Sequence, residues 1–393
     1  MFNQQVYEMG AAPNRIRQIF EYGRQQAKLL GEDRVYDFSL GNPSIPAPEA
    51  VNRSIKNLLD TESSIRIHGY TSGAGGDPLR EAVAENLNER FGVHAGPDNI
   101  FISCGAAPAL TAVLLALKTE HSEIIGIAPY FMEYKAFTEA IGSKFVVVPA
   151  DMEHFQINLP ALAAAINENT QAVILNSPNN PSGAVLTEET LRKTAELLTA
   201  CEERFGHPIY IIADEPYREL VYDGVRVPFI PAIYPDTVVC YSWSKSLSMP
   251  GERIGYVYVS ERAADSREIF LAVAGAARAN GHICAPSLIQ RAVAACIDCM
   301  PDLEAYEVNR RLLYDGLTEI GYECVRPDGA FYLFVKTPGG DNDVFCERAM
   351  KKNLLVVPSE PFGVEGYFRL GYCVSKEMIE RALPVFREVY EEM

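Results

Sequence analysis

At 393 residues with 48% apolar side chains, the chain is long enough for two domains with sizeable cores and carries no mark of disorder. A formal net charge of -17 excludes a general affinity for nucleic acid or for anionic membrane surfaces, since either is repelled over most of the exterior, and a small anionic ligand then needs local cations. The start of the chain has no apolar run of signal-peptide length and no later run approaches a membrane span, so a cytoplasmic location is expected, with nine scattered cysteines as reduced thiols rather than a disulfide framework.

Pro13 and Asn14 precede apolar residues at Ile16, Ile19, Phe20, Ala27 and Leu30, the spacing of one helix face. Val35 to Leu40 reads as a short strand that runs into Gly41, Asn42 and Pro43. That break is either a simple turn or a point where glycine lets a ligand approach the backbone. The glycine-rich stretch 69–80 leads into a helix over Leu79 to Phe91, but no strand precedes it and a third glycine of the dinucleotide fingerprint is missing, so that fold is rejected. Next, a strand at Ile100 runs through Gly105, Ala106 and Ala107 into an apolar helix that ends near Leu117. Small residues at a strand-to-helix turn expose backbone N–H groups at the positive end of the helix, which together make an anion site, and Pro108 suits the first turn.

From Ile124 to Asp214, short apolar runs (Ile124 to Ile127, Phe145 to Val148, Ala172 to Leu175, Tyr210 to Ala213) alternate with helical segments such as Glu188 to Arg204. This is the pattern of β-α units around a largely parallel sheet, in which ligands bind beyond the carboxyl ends of the strands. The polar clusters fall there: Pro129 to Phe131, Asn176 to Gly183, Asp214 to Tyr217, and Ser242 to Lys245 after the strand-like run Thr237 to Tyr241. Lys245, among small and hydroxylated residues and eight positions before Arg253, is placed where desolvation and like-charge repulsion favour a neutral, nucleophilic amine. After Val259 a helix-rich stretch leads to a long helix over Leu303 to Ile320. Strands at Phe331 to Val335, Leu354 to Val357 and Phe368 to Tyr372 then alternate with helices at Val344 to Lys352 and Lys376 to Glu391. The single CxxC, Cys296 to Cys299, sits in a helix-like apolar stretch without a second pair or a nearby histidine and reads as structural, with no metal site expected.

The ordered set Gly-x-Pro at 41–43, Gly105-Ala106-Ala107, Asn176-x-x-x-Asn180-Pro-x-Gly183, Asp214-x-x-Tyr217, Ser242-x-Ser244-Lys245 with Arg253, and a late Arg369 resembles the class I/II aminotransferases, enzymes of pyridoxal 5'-phosphate (PLP). The resemblance implies the fold-type I PLP transferase fold. That is an α/β architecture with a three-layer αβα large domain (46–285) on a mostly parallel, mixed sheet, and a smaller α+β domain built from 1–45 and 286–393. It implies Lys245 as the Schiff-base lysine, Asp214 as partner of the pyridine nitrogen, Tyr217 and Asn180 on the ring oxygen, and Phe131 rather than Tyr130 stacked on the ring. Asn176 matches a second asparagine near the substrate carboxylate. Gly105, Ala106, Ala107, Ser242, Ser244 and Arg253 would hold the phosphate, with Ala107 departing from relatives that carry a larger side chain there. Tyr70 matches a tyrosine that serves the neighbouring subunit's site, which implies a homodimer with shared sites. Arg369, with the backbone at Gly41, would grip the substrate carboxylate. The implied activity is transamination from an L-amino acid to a 2-oxo acid through a Lys245 aldimine and pyridoxamine phosphate, of aspartate or aromatic type. Arg278 is a candidate for a second substrate carboxylate, and Arg15, Arg17 and the N-terminal aromatics could equally shape the pocket. A carbon-sulfur β-lyase on the same scaffold is the alternative, and a non-catalytic ligand-binding or regulatory protein the more distant one.

Overall fold

The computed structural model describes residues 2–11 and 15–393, with side chains throughout except those of Gln5, Arg15, Ile16 and Arg17. The helix start expected at Pro13 and Asn14, and the side chains of Ile16, Arg15 and Arg17, thus lie outside the described residues. A helix does run Arg15–Leu30 and buries Ile19 against Val35 and Leu355, whereas Leu30 is exposed and not on the packed face.

Seven strands form the main sheet, in the spatial order Ile100–Ser103, Gly255–Val259, Thr237–Ser242, Tyr210–Asp214, Thr170–Asn176, Glu123–Ala128 and Lys144–Pro149. All neighbours pair parallel except Gly255–Val259, which is antiparallel to both of its partners. Because side chains alternate across a strand, Ile125, Val173, Ile211 and Val239 enter the core on one face, and Ile124, Ile174, Ile212 and Val238 the core on the other. Helices Asp77–Phe91 and Glu188–Phe205 cover the first face through Leu79, Val83, Leu87, Leu191 and Leu198. Helices Ala106–Ala116 and Ser266–Ala279 cover the second through Leu110, Val113, Phe270 and Val273. The result is the three-layer α/β arrangement with a mixed sheet.

The antiparallel strand is the part of the sheet that β-α periodicity does not signal. It returns directly from the Lys245 turn, with Ser242 opposite Gly255, rather than after a helix. The pairing puts Ser103 opposite the same Gly255, and Asn176 opposite Asp214, so the carboxyl ends of four strands share one rim.

A second, antiparallel sheet joins Val357–Pro358, Tyr367–Gly371 and Tyr332–Lys336, with a core of Phe331, Phe345, Phe368, Ile379 and Phe386 beneath helices Leu303–Ile320, Asn342–Lys351 and Lys376–Glu391. Asp302 and Ser375 cap the first and last of these helices by accepting from Ala305 N and Met378 N. The strand expected over Leu354 to Val357 is two short ones. Leu354–Leu355 pairs with Tyr36–Asp37, the ordered remnant of the strand expected over 35–40, while Val357–Pro358 joins the three-stranded sheet. Helix Ser287–Ala294 packs on Glu49–Thr61 and Asp77–Phe91, which brings Ile289 and Val293 into the core of the larger sheet. Cys296 follows in a turn beyond that helix and Cys299 in irregular chain after it, rather than within it. None of the nine cysteines is in a disulfide, and among the described residues no helix is long and apolar enough to cross a membrane.

Candidate active site

A cavity of about 310 Å³ lies at the shared rim of the larger sheet, roofed by Tyr332 and Arg369 of the smaller one. Lys245, Asp214, Arg253, Phe131 and Gly41 also line it, so groups from distant parts of the sequence face a single space.

Strand Thr237–Ser242 ends in a single helical turn, Trp243–Ser246, whose start is capped by Ser242 Oγ accepting from Ser244 N at 3.2 Å. The turn aims the half-buried Lys245 into the cavity, where Nζ donates to Gly41 O at 2.6 Å and lies 5.4 Å from the centre of the Phe331 ring. Burial lowers its proton affinity from 10.5 to about 8, with the charges of Arg253 and Arg369 adding to the effect and Cys373 opposing it. A useful fraction of the amine is therefore neutral near neutral pH.

Asp214 ends the strand Tyr210–Asp214 and is buried. Tyr134 donates its hydroxyl to Oδ2, while Oδ1 has no hydrogen-bond partner among the described residues. Burial raises the carboxyl to about 7, although the Tyr134 hydroxyl pulls the other way. Asn176 is a brace here. Its Nδ2 donates to Asp214 O at 2.8 Å, and its Oδ1 accepts from Asn180 N at 2.7 Å, which fixes two neighbours of the cavity at once. These bonds use one of the two N–H donors of the amide, and Asn176 also lines the cavity, so it braces Asp214 and Asn180 from a place compatible with the one near a substrate carboxylate expected for it. Phe131 presents its ring to the cavity and meets Tyr134 edge-on at 5.6 Å. Tyr130 turns away to pack on Phe145.

At the other end of the cavity, Gly105 adopts φ 96° and Ala106 and Ala107 open the helix Ala106–Ala116. A β-carbon at position 105 would come within 2.6 Å of Arg253 Nη2, so the glycine both permits the left-handed turn and admits the guanidinium. Arg253 is steadied by Nη1 donating to Pro250 O at 2.8 Å, and the Ser242 and Ser244 hydroxyls are 2.7 Å apart beside it. A helix N-terminus, an arginine fork and two hydroxyls converge, the equipment of an anion site. Ala107 contributes only a methyl to the lining.

Arg369, in the middle of strand Tyr367–Gly371, is buried, and its Nη1 donates to Asn180 Oδ1 at 2.9 Å and its Nη2 to Ser39 O at 2.7 Å. Its guanidinium lies 4.6 Å over the Tyr332 ring. The Tyr217 and Tyr332 hydroxyls are 3.1 Å apart, and burial raises the Tyr217 phenol well above its ordinary range. Two further candidates stand outside this chain's cavity: Tyr70 is 88% exposed, and Arg278 is exposed at the end of its helix. Sequence reading missed Tyr134 and Tyr332. The only local signal for Tyr134 is its position three residues after Phe131, and Tyr332 has none.

The family description "Aminotransferase class I and II" matches residues 33–386. A probable aspartate/prephenate aminotransferase of Aquifex aeolicus is 32% identical over 94% of each chain. Aromatic-amino-acid aminotransferase 2 of Thermococcus litoralis is 29% identical over 97% of this chain and 96% of its own. A crystal structure of an aminotransferase from Eubacterium rectale superposes with a TM-score of 0.97 at 50% identity, covering 100% of this chain and 99% of the other. With a match over nearly its whole length and the same fold, the chain belongs to the class I and II aminotransferases.

Proposed function

We propose that the protein is a PLP-dependent transaminase that moves the amino group of an L-amino acid to a 2-oxo acid, with Lys245 carrying the cofactor and moving the proton. The observation that carries this reading is the pairing, across one cavity, of an amine of lowered proton affinity with a buried carboxylate oxygen that has no hydrogen-bond partner among the described residues. The residues fit the cofactor: Asp214 Oδ1 needs a cationic or donor group, and the Gly105 turn with Arg253 offers an anion cradle that a β-carbon would fill.

When bound, PLP supplies an electron sink for negative charge at the Cα of an amino acid joined to it. Asp214 would hold the proton on the ring nitrogen, because a cation opposite Oδ1 favours the carboxylate form that burial alone disfavours. Phe131 would cover one face of the ring, Tyr217 and Asn180 would donate to its ring oxygen, and Asn176 would keep Asn180 and Asp214 in place. The backbone of Gly105, Ala106 and Ala107, the hydroxyls of Ser242 and Ser244, and Arg253 would hold the phosphate. Arg369, with the backbone near Gly41, would take the substrate carboxylate in a two-point grip, which sets the face of Cα that meets the amine of Lys245. The Lys245 amine then serves as general base at Cα and, once protonated, as general acid.

The reading includes a homodimer in which the exposed Tyr70 reaches a partner's phosphate site, a cytoplasmic location, and a division into a large domain (46–285) and a small one (1–45 with 286–393), from which helix Ser287–Ala294 departs by packing on the larger sheet. The names of the relatives support aspartate or an aromatic amino acid as donor. A dicarboxylate role for Arg278 would operate only across a dimer, since its helix end is outside its own cavity.

A panel of L-amino acids assayed with 2-oxoglutarate or pyruvate, following the visible absorbance of the bound cofactor, tests the function. Donor-dependent conversion to the pyridoxamine form is expected. Release of pyruvate and ammonia from cystathionine without need of an oxo acid would instead support the β-lyase. Gly105→Ala is expected to weaken PLP binding about tenfold to a hundredfold, through loss of one charge-assisted phosphate contact, as measured by titrating the cofactor's absorbance into apoprotein.

A further inference from the structure

Tyr332 belongs to the smaller sheet yet touches three separate parts of the cavity. Its strand pairs with Tyr367–Gly371, so that Tyr332 stands opposite Gly371 and Phe334 opposite Arg369. The buried ring lies beneath the Arg369 guanidinium, 4.6 Å from it, and meets the Tyr217 ring edge-on at 5.7 Å. Its hydroxyl is 3.1 Å from the Tyr217 hydroxyl. A β-carbon built on Gly41 would fall 1.9 Å from that same oxygen, so the hydroxyl fills the space that Gly41 leaves open, and the Gly41 carbonyl in turn accepts from Lys245. A phenylalanine would fill nearly the same volume and keep the stacking on Arg369. What the oxygen adds is a polar contact to Tyr217.

We infer that Tyr332 is a positioning residue: its hydroxyl orients that of Tyr217 toward the cofactor and ties Tyr217 to the arginine that grips the substrate carboxylate. The inference rests on the PLP reading above. A phenol hydroxyl can swing only about its own C–O bond, so one fixed partner decides where its proton points. Either hydroxyl can donate in the 3.1 Å contact, and when Tyr332 donates to the Tyr217 oxygen the Tyr217 proton would be free for the ring oxygen of bound PLP, in a chain of hydrogen bonds that strengthen one another. The charged and titratable groups facing this pair are Arg369, Asp214, Cys373 and, through Gly41, Lys245.

The test is a spectral pH titration of PLP-loaded wild type, Tyr332→Phe, Tyr217→Phe and the double variant, alongside steady-state kinetics. A hydrogen bond into the cofactor's ring oxygen competes with the proton on the adjoining nitrogen, so weakening it raises the midpoint. Tyr332→Phe is expected to raise it by about half a pH unit to one unit, in the direction of Tyr217→Phe, with the double variant matching Tyr217→Phe alone. It should lower kcat severalfold while leaving KM for the amino acid within about twofold, because the ring under Arg369 stays. An unmoved midpoint in Tyr332→Phe, or a double variant whose shift is the sum of the two, overturns the inference while leaving the cofactor reading intact. A wild-type protein that shows no such absorbance overturns the cofactor reading and this inference with it.

Discussion

Lys245→Ala protein is expected to lose transamination by at least about 10⁴-fold while keeping its fold and some affinity for PLP. Two roles disappear at once, the covalent hold on the cofactor and the base that moves the Cα proton. The phosphate cradle at Gly105 and Arg253 and the Asp214 carboxylate are on other elements and remain. Thermal unfolding should change little, since the side chain is half-buried and its amine makes one hydrogen bond, to Gly41 O. Single-turnover measurement with a saturating amino acid checks the rate. Adding a small primary amine should restore part of it, with a pH dependence set by the added base. Retention of more than a hundredth of wild-type kcat would remove Lys245 from the chemistry.

Asp214→Asn is expected to act in opposite directions on activity and on the stability of the apoprotein. An amide at this position cannot hold the proton on the ring nitrogen, and loss of one aligned charge of this kind lowers kcat by about 10³-fold. In the apoprotein, by contrast, the buried carboxyl has a proton affinity near 7, against 3.8 when exposed. The folded state therefore binds more protons than the unfolded one between those values, so the wild-type contribution to stability falls as pH rises through that window and levels off above 7. Removing the ionisable group removes the loss. Asp214→Asn apoprotein should melt a few degrees above wild type at pH 8, with the gain shrinking as the pH is lowered toward 5. Bound PLP reverses the comparison, since its ring nitrogen supplies the missing partner. Differential scanning calorimetry at several pH values, with and without cofactor, reads both effects. An apoprotein variant no more stable than wild type at pH 8 would mean that the carboxyl is already satisfied.

The fold class was legible because its signals are local. A sheet covered on both faces follows from continuous apolar runs such as Ala172 to Leu175 and Tyr210 to Ala213, alternating with helical segments such as Glu188–Phe205. The antiparallel strand Gly255–Val259 escaped because no helix separates it from its neighbour, so a β-α rhythm has nothing to announce it. The split of 354–358 between two sheets likewise depends on which strand lies alongside, which no local pattern encodes.

The same division holds at the cavity. Lys245, Asp214, Asn180, Arg253 and Arg369 stand in spaced motifs that can be read in a line, and the structure gathers them around one space. Tyr134 and Tyr332 belong to no such motif. Their relevance arises from contacts to Asp214 and Tyr217 across 80 and 115 positions of sequence, the first set by how a helix packs on the larger sheet and the second by how the two sheets meet. Asn176 shows the complementary limit: its motif position was plain, but its amide turns to Asp214 and Asn180, which only the folded backbone reveals.

The measurement that bears most directly on the account is identification of the residue joined to the cofactor. Protein supplied with PLP, reduced with borohydride and digested should yield one peptide carrying the pyridoxyl mass, with the label on Lys245. The label on another lysine, or no label on a folded protein saturated with PLP, would contradict it.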